Sequence, residues 1–474
     1  MKLHWNKTGA LTPRERIGRV QFACLLAVLL MELAFFLLED RASGVAYLLA
    51  ERYMALPAMA FLGASLCREL PRKDRLPLYA GLAVITLFFC IQVLHQVLES
   101  EAKQVGTFLC AYALCLPFAA SAEDARRQRG LKWMAALHLA VGVLLTAYTA
   151  LLLAGTLPAC LMDHVKWDGG RLYAMGHPNI CATLLMISVA LSLGLAAACR
   201  KRWVRITLAV LAVPQFAALS LTNGRTTMIL TCLLLGGLAF CALRGRGWKR
   251  FALALLAAVV VIAATFGASR AVYSWNQTRL VNSAAAAQTA SETETGTGNE
   301  TGTEAETEAA IETETEPAQT SQVLVAEQYQ GTLANDFKTL NGRTEIWKSA
   351  LAGLEENPRV KFIGTEYVEM ILTRYAPLPV YHTHNSWLEA LYRMGLPGLA
   401  AALVITAMTV WSAAVVLWRN NDLWKSCVAL LALCLLGCAM LEPYLFVVDI
   451  SYFYLDFLFL MCLGYLWQWR GEKV

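Results

Sequence analysis

Two histidines in the stretch VYHTHNSW have the chemistry and the spacing of an acid–base site. His382 and His384 are two residues apart, so both imidazoles can face one side of an extended segment. Histidine is well suited to proton transfer at neutral pH, and His384 is therefore a candidate general base. A pair at this spacing can also bind metal, but no further cluster of metal ligands accompanies it. The remaining alternative is hydrogen bonding at the membrane surface.

The tetrapeptide NGRT occurs twice and places an arginine at two predicted helix starts. Arg225 lies in TNGRTT before an apolar run, and Arg343 lies in NGRTEIW at the start of an amphipathic segment. Exposed N–H groups at a helix N-terminus favour an anion, and a guanidinium adds a bidentate contact for phosphate. The alternatives are a snorkelling arginine at Arg225 and an exposed surface arginine at Arg343.

A third group of polar residues surrounds the start of another predicted helix, in RLYAMGHPNICATLL. Pro178 at the first helical position is ordinary capping. Arg171, His177 and Asn179 are candidates for lining the same site as the arginines and His384.

Membrane-spanning helices must position these residues. Of 474 residues, 57% are hydrophobic and only 16% are charged, whereas about a quarter are charged in soluble proteins. We therefore predict an all-α integral membrane protein with about 12 transmembrane helices and one large external loop. The predicted spans are 17–38, 45–66, 76–98, 104–120, 131–154, 178–198, 203–221, 225–243, 250–268, 396–417, 424–441 and 447–468.

The distribution of lysine and arginine predicts the orientation. These residues concentrate in alternate loops, so the positive-inside rule places both termini in the cytoplasm and residues 269–395 outside the plasma (inner) membrane. Nine spans then occupy residues 1–268 and three occupy residues 396–474. The formal net charge of +5 follows from the basic cytoplasmic loops, and no concentrated basic face indicates a nucleic-acid partner.

The large external loop has two predicted parts. An acidic, Thr- and Glu-rich tract at about residues 281–330 cannot bury a core and is predicted to be disordered. Residues 335–395 carry two amphipathic helical patterns with tryptophans suited to the membrane surface, and we predict that this part is folded and catalytic.

The absence of several nucleotide-binding and catalytic motifs limits the class of substrate. The sequence has no Walker loop, no GxGxxG after a strand, no HExxH and no GxSxG. No cofactor is therefore expected, and an enzyme acting outside the cell needs a substrate that arrives already activated. A lipid-linked diphosphate meets this need, with arginines neutralising the diphosphate and a histidine taking a proton from an acceptor hydroxyl.

Several of these segments resemble the O-antigen ligase family, which also includes O-antigen polymerases. His384-Asn385, nine residues and then Gly395-Leu396-Pro397-Gly398 are similar to its H-[NSQ]-x9-G-x-x-G signature. GRTEIWKSAL resembles the family's Arg-then-Trp helix, TNGRTTMIL its Arg-bearing span start and GHPNICATLL its Pro-Asn span start. The resemblance covers roughly residues 170–400.

This resemblance implies an inverting, metal-independent transferase that acts on a polyprenyl-diphosphate-linked glycan outside the membrane. Arg225 and Arg343 would bind the diphosphate, and His384 would be the base. His382 and Asn385, beside that base, are expected to contact substrate together with Arg171, His177 and Asn179. The partners would be the glycan donor, a glycan or lipid-glycan acceptor and the bilayer.

The sequence leaves other functions open. A ligase moves a finished glycan to an acceptor, whereas a polymerase extends the chain. A polysaccharide transporter or flippase is a further alternative, although familiar twelve-span carriers join two six-span halves and lack this external loop. A sensor or assembly protein could bind an envelope glycan without catalysis.

Overall fold

The computed structural model describes residues 125–162, 165–168, 170–174, 177–245, 247–295, 343–365, 368–375, 382–446 and 453–471. This part of the chain is mostly helical, as expected for an all-α membrane protein. The elements in chain order are α1 Ala125–Ala154, β1 Val165–Asp168, β2 Arg171–Ala174, α2 Pro178–Ala198, α3 Arg202–Leu221, α4 Arg225–Leu243, α5 Trp248–Thr295, α6 Arg343–Glu356, α7 Pro358–Ile363, α8 Val368–Tyr375, α9 Ser386–Arg419, α10 Leu423–Ala439 and α11 Phe453–Trp469.

Among the described residues, six helices are long and apolar enough to cross a membrane, namely α2, α3, α4 and parts or all of α1, α5 and α9. The helix α10 and the segment Leu458–Trp469 of α11 are apolar but shorter. The chain is therefore a multi-pass membrane protein. The predicted spans at 17–38, 45–66, 76–98 and 104–120 lie outside the described residues, and the total of about 12 stays a prediction.

The helix α2 is the most buried of the six candidate spans. It packs against α1, α3 and α10, and small residues allow the close approach. A side chain at Gly142 of α1 would overlap Ser188 of α2, and a Cβ at Gly194 of α2 would lie 2.7 Å from the Cys427 sulfur of α10. Packing of this kind through small residues is typical of membrane helices, and it holds the start of α2 firmly at one end of the bundle.

A short antiparallel hairpin is the one strand pairing within the described residues, and the sequence did not predict it. Strands β1 and β2 pair in the register Val165↔Ala174 and Asp168↔Arg171, with Gly170 at φ 74° in the turn. The Gln277 side chain of α5 donates to the Gly170 carbonyl oxygen at 2.8 Å. The hairpin therefore holds Arg171 next to the end of the bundle where α2 begins.

The helix α5 is longer than the predicted ninth span at 250–268. It continues to Thr295, through residues predicted to begin the external loop and its disordered tract. The sequence SAAAAQTA at 283–290 explains this extension, because alanine has the highest helix propensity. The rest of the acidic tract lies outside the described residues.

The amphipathic segment at 386–394 and the predicted tenth span form one element, α9, with a break at Gly395. Gly395 has φ 66° and ψ −168°, values that residues with a side chain rarely adopt. Its backbone lies against the end of α7, where an added Cβ would lie 2.8 Å from the Ile363 amide nitrogen and closer to the Phe362 carbonyl. The backbone conformation and the close approach to α7 both explain why the first position of the G-x-x-G motif is a glycine.

We expect Gly395→Ala to destabilise the protein by about 1–3 kcal/mol, because the alanine would adopt a strained backbone and displace α7. Thermal unfolding in detergent measures this loss. Gly267→Ala is the matched control, because a Cβ at Gly267 of α5 meets no atom within 4 Å, and alanine there should be neutral or slightly stabilising. Equal stability of the two variants would contradict the packing argument.

Candidate active site

The polar residues singled out in the sequence gather at one end of the helix bundle, where α2, α4 and α9 begin and α10 ends. The opposite end carries a different contact: Arg244, after α4, donates to the carbonyl oxygens of Leu417 and Asn420 at the end of α9. The basic residues at 200–202, which the positive-inside rule places in the cytoplasm, also lie there, between the end of α2 and the start of α3. The candidate site is therefore at the end that is predicted to face outward.

The segment before α9 is held in place by a set of hydrogen bonds around buried Thr383. Its amide nitrogen donates to Glu389 Oε2 at 2.9 Å, and its carbonyl oxygen accepts from the Trp347 indole at 3.0 Å. Glu389 is itself paired with Arg393 at 2.8 Å. These contacts join α6 to α9 and leave the neighbouring histidine little conformational freedom.

His384 adopts the left-handed backbone conformation, with φ 52°. A non-glycine residue in this region stores strain, and such residues cluster at functional sites. The His384 Nδ1 atom lies 3.1 Å from Glu442 Oε2, and the His382 ring packs against the His384 ring with a centroid separation of 4.1 Å. Because 29% of the His384 side chain is exposed, the imidazole is fixed on one side and accessible on the other.

Glu442, in the loop after α10, is the residue that connects the site, and the sequence analysis did not identify it. Its Oε1 atom accepts from Arg343 and, at 2.8 Å, from the Asn179 amide nitrogen, while Oε2 faces His384. Burial raises the pKa of this carboxyl, but the hydrogen bond from His384 and the charge interactions with His384, Arg343 and His382 outweigh burial and hold the pKa at about 2. Glu442 is therefore ionised at neutral pH.

Arg343 begins α6 and reaches into the loop after α10. Its Nε atom donates to the Leu441 carbonyl oxygen at 2.8 Å, and its terminal nitrogen pairs with Glu442. Only 12% of the Arg343 side chain and 10% of the Glu442 side chain are exposed. This mostly buried ion pair joins the folded part of the predicted external loop to the membrane helices.

The Asn385 side chain serves both α9 and the loop after α10. Its Oδ1 atom caps α9 by accepting from the amides of Trp387 and Leu388, as asparagine commonly does at a helix start. Its Nδ2 atom donates to the Met440 carbonyl oxygen at 3.0 Å. Asn385 therefore lies beside His384, its hydrogen bonds anchor α9 and the loop after α10, and a contact with substrate stays a prediction.

Arg171, His177 and Asn179 lie at the start of α2, beside the same carboxylate. Arg171 donates to Asn179 Oδ1 at 3.1 Å and to the Thr222 carbonyl oxygen at 2.9 Å. His177 caps α2 through its Nδ1 atom, and it is close enough to Glu442, Arg171, His384 and Arg343 for charge interactions. The structure thus brings these three predicted residues together with Arg343 and His384.

Arg225 belongs to a second group of charges, which adjoins the first through Arg171. Arg225 begins α4, and it interacts electrostatically with the Tyr273 hydroxyl of α5, as do Arg171 and Arg270. The Asn223 side chain hydrogen-bonds to the same hydroxyl. Arg171 therefore lies in a chain of contacts that connects Arg225 with Arg343 through Asn179 and Glu442.

Several guanidinium groups lie in the site. Arg343 is paired with Glu442, and Glu389 with Arg393, and Arg171, Arg225 and Arg270 gather around the Tyr273 hydroxyl. Guanidinium groups favour an anionic ligand and match the geometry of phosphate. In the part of the chain that the structure describes, no three histidine, cysteine or carboxylate side chains come together as metal ligands.

Sequence reasoning missed three residues of the site, Glu442, Glu389 and Tyr273. The one available signal for Glu442 was an acidic residue in an otherwise apolar stretch, AMLEPYLF, at the outward end of a predicted span. Ionisable residues within membrane-spanning segments are costly and commonly functional, and an acidic residue at the end of such a segment is a weaker signal of the same kind. Glu389 and Tyr273 lie within helical patterns and gave no comparable signal.

The fold and the site define a multi-pass helical membrane protein with a cationic, histidine-bearing site at one end of its helix bundle. Residues 208–403 match the family model described as O-antigen ligase. This match confirms the resemblance seen in the sequence for residues 208–403 and supports a relation to the O-antigen ligase and polymerase family, whose members are glycosyltransferase-like enzymes. Among curated proteins none matches the chain.

The matched segment contains Arg225, Arg343, His382, His384 and Asn385 but ends before Glu442. It also begins after the group at the start of α2. The contacts of Arg171, Asn179 and Glu442 with the matched residues are therefore visible through the three-dimensional structure rather than through the family model.

Proposed function

We propose that this protein transfers a glycan from a polyprenyl-diphosphate carrier to an acceptor hydroxyl on the extracytoplasmic face of the membrane. The observation that carries the proposal is the sharing of one carboxylate by a partly exposed histidine and an arginine, His384 and Arg343. The proposed proton acceptor and the proposed phosphate-binding cation thus contact the same side chain, that of Glu442. Inverting transfer from a diphosphate needs this combination.

In the proposed reaction the acceptor oxygen attacks the anomeric carbon of the donor glycan. His384 takes the proton from the acceptor hydroxyl as the new C–O bond forms. The bond between the anomeric carbon and the diphosphate oxygen breaks, and the polyprenyl diphosphate leaves with the electron pair. A single displacement of this kind inverts the anomeric configuration, and it needs no metal ion if arginines stabilise the leaving group.

Arg343 and the group formed by Arg171, Arg225 and Arg270 are the proposed diphosphate contacts. The two phosphates of a diphosphate present several anionic oxygens, and one arginine satisfies only part of them. Arg171 links the two groups of charges through Asn179 and Thr222. We therefore propose that the diphosphate lies along this line of guanidinium groups, with the glycan directed toward His384.

The positive-inside rule predicts the orientation of the chain, and this prediction supports the extracytoplasmic location that we propose for the reaction. With this orientation, the lipid carrier of the donor would lie in the outer leaflet of the plasma (inner) membrane. The predicted external loop can contact the donor there. A ligase and a polymerase need the same donor chemistry, and the observed contacts favour neither over the other.

A transfer assay in membranes or proteoliposomes tests the proposal, with a polyprenyl-diphosphate-linked glycan as donor. We expect Arg225→Ala to lower transfer about 10- to 100-fold, because it removes one of several charged contacts to the donor. Arg250→Ala is the control, since Arg250 is exposed in the first turn of α5 at the opposite end of the bundle.

The products and the response to a chelator separate the competing functions. A ligase attaches the glycan to a distinct acceptor, whereas a polymerase yields longer donor-linked chains. Full transfer by Arg225→Ala would remove this arginine from the mechanism, and strong inhibition of the wild-type protein by a chelator would contradict metal-independent chemistry. Glycan movement across the bilayer without covalent transfer would point to a flippase.

A further inference from the structure

The contact between Glu442 and His384 determines which nitrogen of the imidazole carries a proton. Glu442 is ionised, so its Oε2 atom can only accept a hydrogen bond. The Nδ1 atom of His384, 3.1 Å away, must therefore be the donor. In the neutral imidazole the second nitrogen, Nε2, then holds a free electron pair and can accept a proton.

We propose that Glu442 is a positioning residue that acts through His384, an inference that rests on the proposed function. It holds the imidazole in the tautomer whose Nε2 accepts the proton of the acceptor hydroxyl. As that proton arrives, His384 becomes an imidazolium, and the carboxylate stabilises its charge while remaining ionised. The proton goes from the acceptor oxygen to Nε2, and the Nδ1 proton stays in place.

The loop that carries Glu442 is anchored strongly enough to perform this role. Ser386 Oγ donates to the Glu442 carbonyl oxygen at 2.9 Å and accepts from the Leu445 amide at 3.0 Å. Asn385 and Arg343 hold the two preceding carbonyl oxygens, those of Met440 and Leu441. Every one of these anchors starts from the beginning of α9 or α6, so the carboxylate and the imidazole are fixed to the same elements.

The two carboxylate oxygens of Glu442 contact different partners, and this arrangement suits a positioning role. Oε1 takes Arg343 and Asn179, and Oε2 takes His384. The first two partners orient the carboxylate, and the third is the group that it orients. The same three contacts also bridge α2, α6 and α9, so a purely structural role for Glu442 is the competing explanation that an experiment must exclude.

Steady-state kinetics of Glu442→Gln distinguish the two explanations. The amide keeps the shape of the carboxylate but loses its charge and can present an N–H group to Nδ1, which favours the wrong tautomer. We expect kcat to fall about 10- to 100-fold, with the donor KM unchanged or lower, because one negative charge beside Arg343 is removed. A purely structural role would instead raise the donor KM, whereas some loss of thermal stability is expected under either explanation because Arg343 loses its mostly buried partner. Glu355→Gln, on the exposed face of α6, is the matched control.

A double-variant cycle completes the test. If Glu442 acts through His384, adding Glu442→Gln to His384→Ala causes no further loss of kcat. Glu442→Asp retains the charge and should recover part of the rate, and it also serves as the second variant if Glu442→Gln fails to fold.

Each other outcome overturns a defined part of the argument. Wild-type kcat in Glu442→Gln, or a further loss of kcat in the His384→Ala background, overturns the role of Glu442 while leaving the proposed function intact. No recovery in a folded Glu442→Asp variant also counts against a role for the charge. Full transfer by His384→Ala overturns the proposed function itself.

Discussion

Replacing His384 with glutamine is expected to lower the kcat for glycan transfer about 100- to 10,000-fold, the range that a general base usually contributes. Glutamine can still donate a hydrogen bond to Glu442, so the loop after α10 keeps its anchor. It has no nitrogen that can accept a proton from the acceptor hydroxyl. The loss should therefore fall on kcat, while the donor KM changes little.

The neighbouring histidine provides the comparison for this prediction. The His382 ring packs against the His384 ring at 4.1 Å, whereas the Glu442 carboxylate faces His384. We therefore expect His382→Gln to lower kcat less than His384→Gln does. A larger loss in the His382 variant would transfer the assignment of the base from His384 to His382.

The membrane helices of the described residues are largely predictable from the sequence. The sixth, seventh and eighth predicted spans, 178–198, 203–221 and 225–243, agree with α2, α3 and α4 to within one residue at each end. The reason is local: apolar length determines the span, and Pro178, Gly224 and the charged residues after each helix mark its ends. Such signals lie within a few residues of the boundary they determine.

The network around His384 was not predictable in the same way. Glu442 contacts His384 across 58 residues and Arg343 across 99 residues of sequence, and no local pattern encodes such pairs. The hairpin before α2 was missed for a related reason, because its strands have four residues each and short strands carry little periodic signal. The sequence identified the residue types of the site, and the tertiary structure decided their partners.

The two NGRT segments illustrate the difference. Both arginines begin helices, as the sequence predicts, and both lie at the same end of the bundle. Their environments nevertheless differ: Arg343 is paired with Glu442, whereas Arg225 adjoins Arg171 and Arg270 around Tyr273. Identical tetrapeptides thus give one arginine that shares a carboxylate with the proposed base and one that lies with other arginines around a tyrosine hydroxyl.

The second large effect is expected for Arg343→Ala, which should lower kcat/KM for transfer about 100- to 1,000-fold through the loss of a charged contact to the departing diphosphate. Arg343→Lys should be intermediate. Lysine keeps the charge but cannot reach the Leu441 carbonyl oxygen and Glu442 together through one planar group, as Arg343 does. Kinetics with the diphosphate-linked donor measure both variants.

Arg343→Ala also leaves a mostly buried Glu442 without its arginine partner, so the variant should unfold at a lower temperature than the wild-type protein. This loss of stability has to be separated from the loss of catalysis. The double variant Arg343→Ala/Glu442→Gln removes both charges, and we expect it to regain part of the thermal stability because no carboxylate is left unpaired. Transfer should stay low, since the diphosphate contact is still missing. Recovery of transfer along with stability would mean that Arg343 serves only to neutralise Glu442.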